Sequence, residues 1–145
     1  MAFRGTFDYS LDVKNRLTVP AKFRATLAGG VVLAKGLDQC VGIWKPEDYE
    51  AFTSEAVTSF PRLSPQARKL RSFFAANSID TELDSAGRVG IPPFLLEHAD
   101  LKKEVVVVGA EDSLQVWDRA AWASWNDSLT TEVGEITDLL GQAPS

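Results

Sequence analysis

Little in this 145-residue chain lends itself to covalent chemistry. It has one cysteine, Cys40, so no internal disulfide can form and a reducing, cytoplasmic setting is expected. Cys40 stands just before an apolar strand pattern and reads as a buried spacer, not a nucleophile. The one histidine, His98, falls in a predicted short helix with no partnering motif. No cluster of side chains has metal-ligand spacing, no nucleophile motif is present, and no glycine-rich loop could cradle phosphate. No apolar run approaches the roughly 18 residues that a membrane span needs. No apolar stretch with a cleavage site behind it stands near the start, so no secretory signal is expected. These gaps argue against an enzyme, and no cofactor, metal, membrane or small-molecule ligand is expected.

Acidic residues outnumber basic ones, giving a net charge of −5, which on its face disfavours nucleic acid. The distribution is less simple. Residues 1–24 hold Arg4, Lys14, Arg16, Lys22 and Arg24 against Asp8 and Asp12, a net +3. Residues 62–72 hold Arg62, Arg68, Lys69 and Arg71 with no acid. Residues 111–145 hold seven acids and one base, Arg119. A polyanion responds to the local field and not to the whole-chain sum. Charge alone leaves two readings open, a nucleic-acid face or ordinary scatter on solvated surfaces.

What the chain does have is a diverged copy of itself. Phe7–Pro20 recurs as Ile79–Pro92, an offset of 72 residues. Asp8, Leu11, Asp12, Arg16 and Pro20 return as Asp80, Leu83, Asp84, Arg88 and Pro92. With one inserted residue the match continues, Val31–Gly36 onto Glu104–Gly109 and Val41–Trp44 onto Leu114–Trp117. Two copies of one supersecondary unit thus fill most of the chain. Each half is about the size at which a solitary core becomes marginal, so a shared core, association of subunits, or both are expected.

The hydrophobic pattern predicts strands over Thr6–Leu11, Arg16–Val19, Val31–Ala34 and Cys40–Trp44, with a short helix over Ala21–Leu27 opened by Pro20. Longer helices are predicted from Pro46, with acids in its first turn, and from Ser64-Pro65, a cap followed by proline at the first helical position. The second copy repeats the plan at Ile79–Leu83, Arg88–Ile91, Glu104–Val108 and Leu114–Trp117, with a short helix after Pro92-Pro93. Asp118 is predicted to cap a last helix carrying Trp122, Trp125 and Leu129, with a further acidic turn over Glu132–Leu140 and a frayed end from Gln142. Those tryptophans are read as core and interface, since their surroundings are too acidic for a base-stacking platform. Strands and helices mix within each unit, so the class is α+β. The expected division is 1–53 for repeat one, 54–78 for a helical connection, 79–122 for repeat two and 123–145 for an acidic helix and tail.

The recurring turn carries the functional argument. In Asp12-Val-Lys-Asn-Arg16 and Asp84-Ser-Ala-Gly-Arg88, the aspartate can accept from backbone N–H groups further along. Asn15 and Gly87 hold the place that needs a left-handed backbone. Asp12, Asn15, Asp84 and Gly87 are therefore turn-structuring residues. The arginines admit two readings. Arg16 and Arg88 could pair with the aspartate four residues back and lock the turn. They could instead project a fork of donors towards phosphate or the O6/N7 edge of guanine.

These residues resemble the MraZ family, bacterial transcriptional regulators built from two AbrB-like (SpoVT/AbrB) repeats. The resemblance spans roughly residues 3–130. It rests on Phe3-Arg-Gly-Thr6, the two Asp-x-x-x-Arg turns, the exits Leu17-Thr-Val-Pro20 and Val89-Gly-Ile-Pro92, and the two tryptophan-ended strands. It implies an intramolecular swapped-hairpin β-barrel with peripheral helices and assembly into a ring of identical subunits. It also implies binding to double-stranded DNA at short direct repeats upstream of the division and cell-wall gene cluster, generally as a repressor on the nucleoid. Carried over by motif, Arg16 and Arg88 would contact DNA, Lys14 would reach phosphate, and Arg4, Lys22 and Arg24 would belong to the same basic face. The chain departs from the pattern at Ala2, an extra residue, at Asn15 in place of glycine, and at Ser85-Ala86, which removes charge from the second turn. Gly90 weakens the second exit strand. The first turn is therefore expected to contact DNA more strongly. The competing reading is an antitoxin-like module that grips a protein partner.

Overall fold

The computed structural model describes residues 2–142; of the end expected to fray from Gln142, residues 143–145 lie outside them. Among the described residues, eight strands, four α-helices and one 3-10 turn form an α+β architecture. The first repeat supplies β1 (Thr6–Ser10), β2 (Arg16–Thr18), β3 (Val31–Lys35) and β4 (Val41–Trp44). Helices α1 (Pro46–Thr58) and α2 (Pro65–Ala76) follow. The second repeat supplies β5 (Ser78–Thr81), β6 (Arg88–Gly90), α3 (Pro93–His98), β7 (Glu104–Gly109), β8 (Ser113–Asp118) and α4 (Arg119–Leu140).

Six strands make one antiparallel sheet in the order β1-β7-β8-β4-β3-β5, and β2 pairs with β6 in a separate two-stranded ribbon. The repeats exchange strands. First-repeat β1 lies on second-repeat β7, β5 returns onto β3, and β2 meets β6. Neither repeat has a complete sheet of its own, which is why the two halves share one core. The sheet does not close into a barrel. Its edges β1 and β5 are not paired with each other, because after each charged turn the chain leaves the sheet for the ribbon.

Continuous apolar runs make the central strands, and both sheet faces are covered. Val31, Leu33, Val41, Ile43, Val105, Val107, Leu114 and Val116 face a main core closed by Leu17, Val19, Val89 and Ile91 of the ribbon and its exits. On the other face, α1 lays Tyr49 and Phe52 on Val32, Ala34 and Trp44. There α4 lays Trp122 and Trp125 on Val106, Val108 and Trp117. The tryptophans are thus core and helix-packing residues, as expected.

The predicted caps hold. Ser64 Oγ accepts from Ala67 N–H at 3.2 Å and Asp118 Oδ2 from Ala121 N–H at 3.1 Å. One element differs from expectation. The helix after Pro20 is a single 3-10 turn, Ala21–Phe23, since Phe23 reaches the core at once and the chain must turn again by Gly29-Gly30. The acidic helical turn expected over Glu132–Leu140 is present, continuous with the tryptophan segment.

Candidate nucleic-acid interface

The two charged turns are the same structure built twice. In the first, Asn15 N–H donates to Asp12 C=O at 2.9 Å and Asp12 N–H to Arg16 C=O at 3.1 Å. In the second, Gly87 N–H donates to Asp84 C=O at 2.9 Å and Asp84 N–H to Arg88 C=O at 2.9 Å. The residue before each arginine is left-handed, Asn15 at φ 58 and Gly87 at φ 75. Asparagine pays little for that conformation, so its replacement of glycine is accommodated.

The aspartates organise these turns with both carboxylate oxygens. Asp12 Oδ1 accepts from Lys14 N–H at 2.9 Å and Arg16 N–H at 2.8 Å. Asp84 Oδ1 accepts from Ala86 and Arg88 N–H, both at 2.9 Å. The second oxygen takes the arginine: Arg16 Nε donates to Asp12 Oδ2 at 2.7 Å, and Arg88 Nε to Asp84 Oδ2 at 2.9 Å. The backbone N–H of Arg16 is the main cause that holds the Asp12 carboxyl below the usual carboxylate value, against an opposing contribution from its partial desolvation. Arg88 does the same for Asp84.

The turn-lock reading of the arginines is therefore realised in the geometry. It uses only Nε. Among the described residues, Nη1 and Nη2 of Arg16 and Arg88 have no hydrogen-bond partner, and both side chains remain about a third exposed. The aspartate fixes the stem and leaves the terminal nitrogens without a partner among the described residues. The two alternatives left open by the sequence are compatible.

The ribbon then brings the two arginines together. Arg16 pairs with Gly90, Leu17 with Val89 and Thr18 with Arg88. Leu17 and Val89 point into the core with 0% and 1% exposure. Period-two alternation puts Arg16, Thr18, Arg88 and Gly90 on the opposite, outer face. Arg16 and Arg88 are diagonal neighbours there, a separation of about 7–8 Å in antiparallel pairs. Gly90 leaves the room beneath Arg16: a Cβ at that position would lie 4.0 Å from Arg16 Cγ. Each turn also anchors the exit strand of the other repeat, through Ile91 N–H to Asn15 C=O at 3.0 Å and Val19 N–H to Gly87 C=O at 2.9 Å. No sequence signal announces this pairing across 72 positions beyond the repeat itself.

Of the other predicted basic residues, Lys14 and Arg24 lie at opposite ends of the ribbon. Lys14 is exposed at the tip of the first turn, and Lys102 and Lys103 line the same concavity as Asp12, Val13 and Asn15. Lys102 and Lys103 were missed in the sequence because they lie 90 residues from that turn. Arg24 packs against Gly87 and donates from Nε to Val19 C=O at 3.0 Å, so a cation from the first repeat serves the second turn. Lys22 lies over the rings of Phe7 and Phe23, at 5.2 and 5.0 Å. Phe23 in turn meets Phe3 at 5.2 Å, next to Arg4. Arg4 stands at the far end of β1 from the first turn and is paired with Glu111 at 3.1 Å, which blunts its charge.

The residues set aside as non-catalytic have structural partners. His98 Nε2 lies 3.2 Å from the carbonyls of both Gly36 and Asp38; two acceptors require Nε2 to carry the proton. Cys40 is buried, and burial, with Asp38 nearby, pushes its thiol up to about 12. Arg119 is a tie within the fold. Its Nη2 donates to Tyr9 C=O at 2.7 Å and its Nη1 meets Glu104 at 2.7 Å, pinning α4 to the β1–β7 edge.

The chain matches the family described as "MraZ protein, putative antitoxin-like" twice, over residues 2–73 and 74–134. A protein of Thermoanaerobacter pseudethanolicus named transcriptional regulator MraZ is 31% identical over 138 residues, covering 95% of this chain and 96% of that protein. One of the same name from Alkaliphilus metalliredigens is 33% identical over 138 residues, again covering 95% and 96%.

Proposed function

Because the chain belongs to the MraZ family, we propose that it is a DNA-binding transcriptional regulator that reads duplex DNA with the outer face of the β2–β6 ribbon. The observation carrying this reading is the pair of preoriented arginines, Arg16 and Arg88, with unengaged terminal nitrogens on one face. A two-stranded ribbon fits the major groove of B-DNA, and a guanidinium fork matches the O6 and N7 acceptors of guanine. Holding Nε on the aspartate lowers the ordering cost of that contact. Lys14, Lys22 and Arg24 are placed in this proposal as phosphate contacts, with Lys102 and Lys103 beside the first turn. Arg4 is the weakest member, since Glu111 already holds it.

The finer reading is a ring-shaped homo-oligomer, cytoplasmic and nucleoid-associated, that binds short direct repeats upstream of the division and cell-wall gene cluster and represses them. Repeated weak contacts by linked subunits supply avidity that one subunit lacks. The strand pairing between the repeats supports reading them as swapped hairpins of AbrB type. The expected test result is tight binding to a duplex from the protein's own upstream region, weak binding to a scrambled duplex of equal length, and loss of the difference in Arg16→Ala/Arg88→Ala. Equal affinity for both duplexes would refute sequence-specific binding. Strong capture of a protein partner together with no DNA binding would favour the antitoxin-like alternative.

A further inference from the structure

Helix α4 is longer than the surface it packs on. Its apolar stripe runs Trp122, Trp125, Leu129, Val133, Ile136, Leu140, at steps of three or four residues. The first part rests on Trp117, with ring centroids at 5.5 Å to Trp122 and 4.9 Å to Trp125. Beyond Leu129 the same stripe is uncovered: Val133, Ile136 and Leu140 are 45%, 54% and 72% exposed. An uncovered apolar stripe on a helix of this length calls for a partner surface.

The charges flanking the stripe select the partner. Asp127, Glu132, Glu135 and Asp138 lie along this half of α4, with no cation after Arg119. Among the described residues none of the four is in an ion pair. Two such helices would repel each other if paired. The opposite charge is available elsewhere in the chain. Arg62, Arg68, Lys69 and Arg71 are exposed on and before α2, and no ion pair to any of them occurs among the described residues. Exposed apolar groups accompany them, Leu63 at 80% and Phe60 at 40%. Arg71 also lines a groove between α1 and α2 with Tyr49, Thr53, Val57 and Phe74.

We infer that the overhanging half of α4 docks on the basic α1–α2 face of a second copy of this chain. The contact joins two different surfaces, so it is head-to-tail and propagates from subunit to subunit. The inference rests on the ring reading above and says which surfaces close the ring; it is independent of whether the ribbon binds DNA.

The test uses two full-length variants, Glu132→Lys/Glu135→Lys/Asp138→Lys and Arg68→Glu/Lys69→Glu/Arg71→Glu, with mass by size-exclusion light scattering and stability by thermal melting. Wild type is expected to be an oligomer. Each variant alone is expected to fall to the 15.8 kDa monomer with its melting transition intact. An equimolar mixture of the two should recover oligomers, because each reversed surface then meets a complementary one. A monomeric wild type, variants that keep the wild-type mass, or a mixture that stays monomeric would each overturn the docking. Anisotropy on a short single-site duplex, run in parallel, keeps the DNA question separate: a wild-type oligomer that fails to bind it counts against the ribbon alone. If the α2 variant keeps its mass and loses duplex binding, α2 is a DNA surface and the docking is wrong.

Discussion

At the residue scale, the aspartate of each turn does three jobs with one carboxylate. It caps two backbone N–H groups, pairs with the arginine stem and so aims the fork. This makes a sign prediction. If Asp12 were only an unfavourable charge near DNA, removing it would tighten binding. We expect Asp12→Ala to weaken specific binding several-fold and to lower the melting temperature, because the turn and the arginine both lose their anchor. Tighter binding with an unchanged melting transition would show that positioning is unimportant. The same carboxylates set an acid limit. Their folded pKa values lie below the ordinary 3.8, so their contribution to stability is complete above that value and is lost as pH falls through the lowered ones. Melting temperature is therefore expected to be insensitive to these groups near neutrality. The destabilisation caused by Asp12→Asn/Asp84→Asn should start to shrink as pH falls below 3.8, and a deficit that grew with acidification would contradict the linkage.

The turn chemistry was legible because it is local. Five consecutive residues held the Asp cap, the left-handed position and the arginine, and the repeat doubled the signal. Two features were not legible. The arginines' relative placement depends on the β2–β6 register, a pairing 72 residues apart. The second turn's charge also looked poor in sequence, with Ser85-Ala86 where the first has Val13-Lys14, yet Arg24 packs over Gly87 and supplies a cation from the other repeat. Arg24 returns part of the missing charge to the second turn, but Lys14 and Lys103 still stand at the first, so Arg88→Ala is expected to cost less affinity than Arg16→Ala.

At the element scale, the three-residue strands β2 and β6 present the proposed interface on one face and close the core with the other. Function and stability therefore meet at alternate positions of the same strand. Leu17→Ala should cost about 2–5 kcal/mol, since a fully buried leucine is lost between two outward-facing residues. Calorimetry checks this, and a change below about 1 kcal/mol would mean that the ribbon is not a core lid. Gly87→Ala is expected to cost about 1–3 kcal/mol, because φ 75 disfavours a side chain and the new Cβ would collide with the Arg24 guanidinium. Helix and strand positions followed well from periodicity and caps. The closed barrel did not, since sequence periodicity marks which strands exist and cannot tell that β1 and β5 end as unpaired edges.

For the whole molecule, a net charge of −5 is compatible with the proposed basic interface because the charges are sorted in space. Acids crowd the overhanging half of α4, and cations gather at the ribbon ends and on α2. Such sorting should steer DNA to the ribbon face and away from α4. Affinity for duplex is expected to fall steeply between 50 and 200 mM salt (roughly 0.9 in log–log slope per phosphate neutralised), as counterions are released. A flat salt profile would remove the electrostatic basis of the proposal.

The most direct measurement is the affinity of Arg16→Lys/Arg88→Lys for the protein's own upstream duplex and for a scrambled control. Lysine keeps both charges but has no planar fork. Expected is a loss of specific affinity of roughly 5- to 150-fold per arginine, from about 1–3 kcal/mol for each bidentate contact. Scrambled-duplex binding and the melting temperature should stay close to wild type. Unchanged discrimination between the two duplexes would contradict the claim that these two guanidinium groups read DNA.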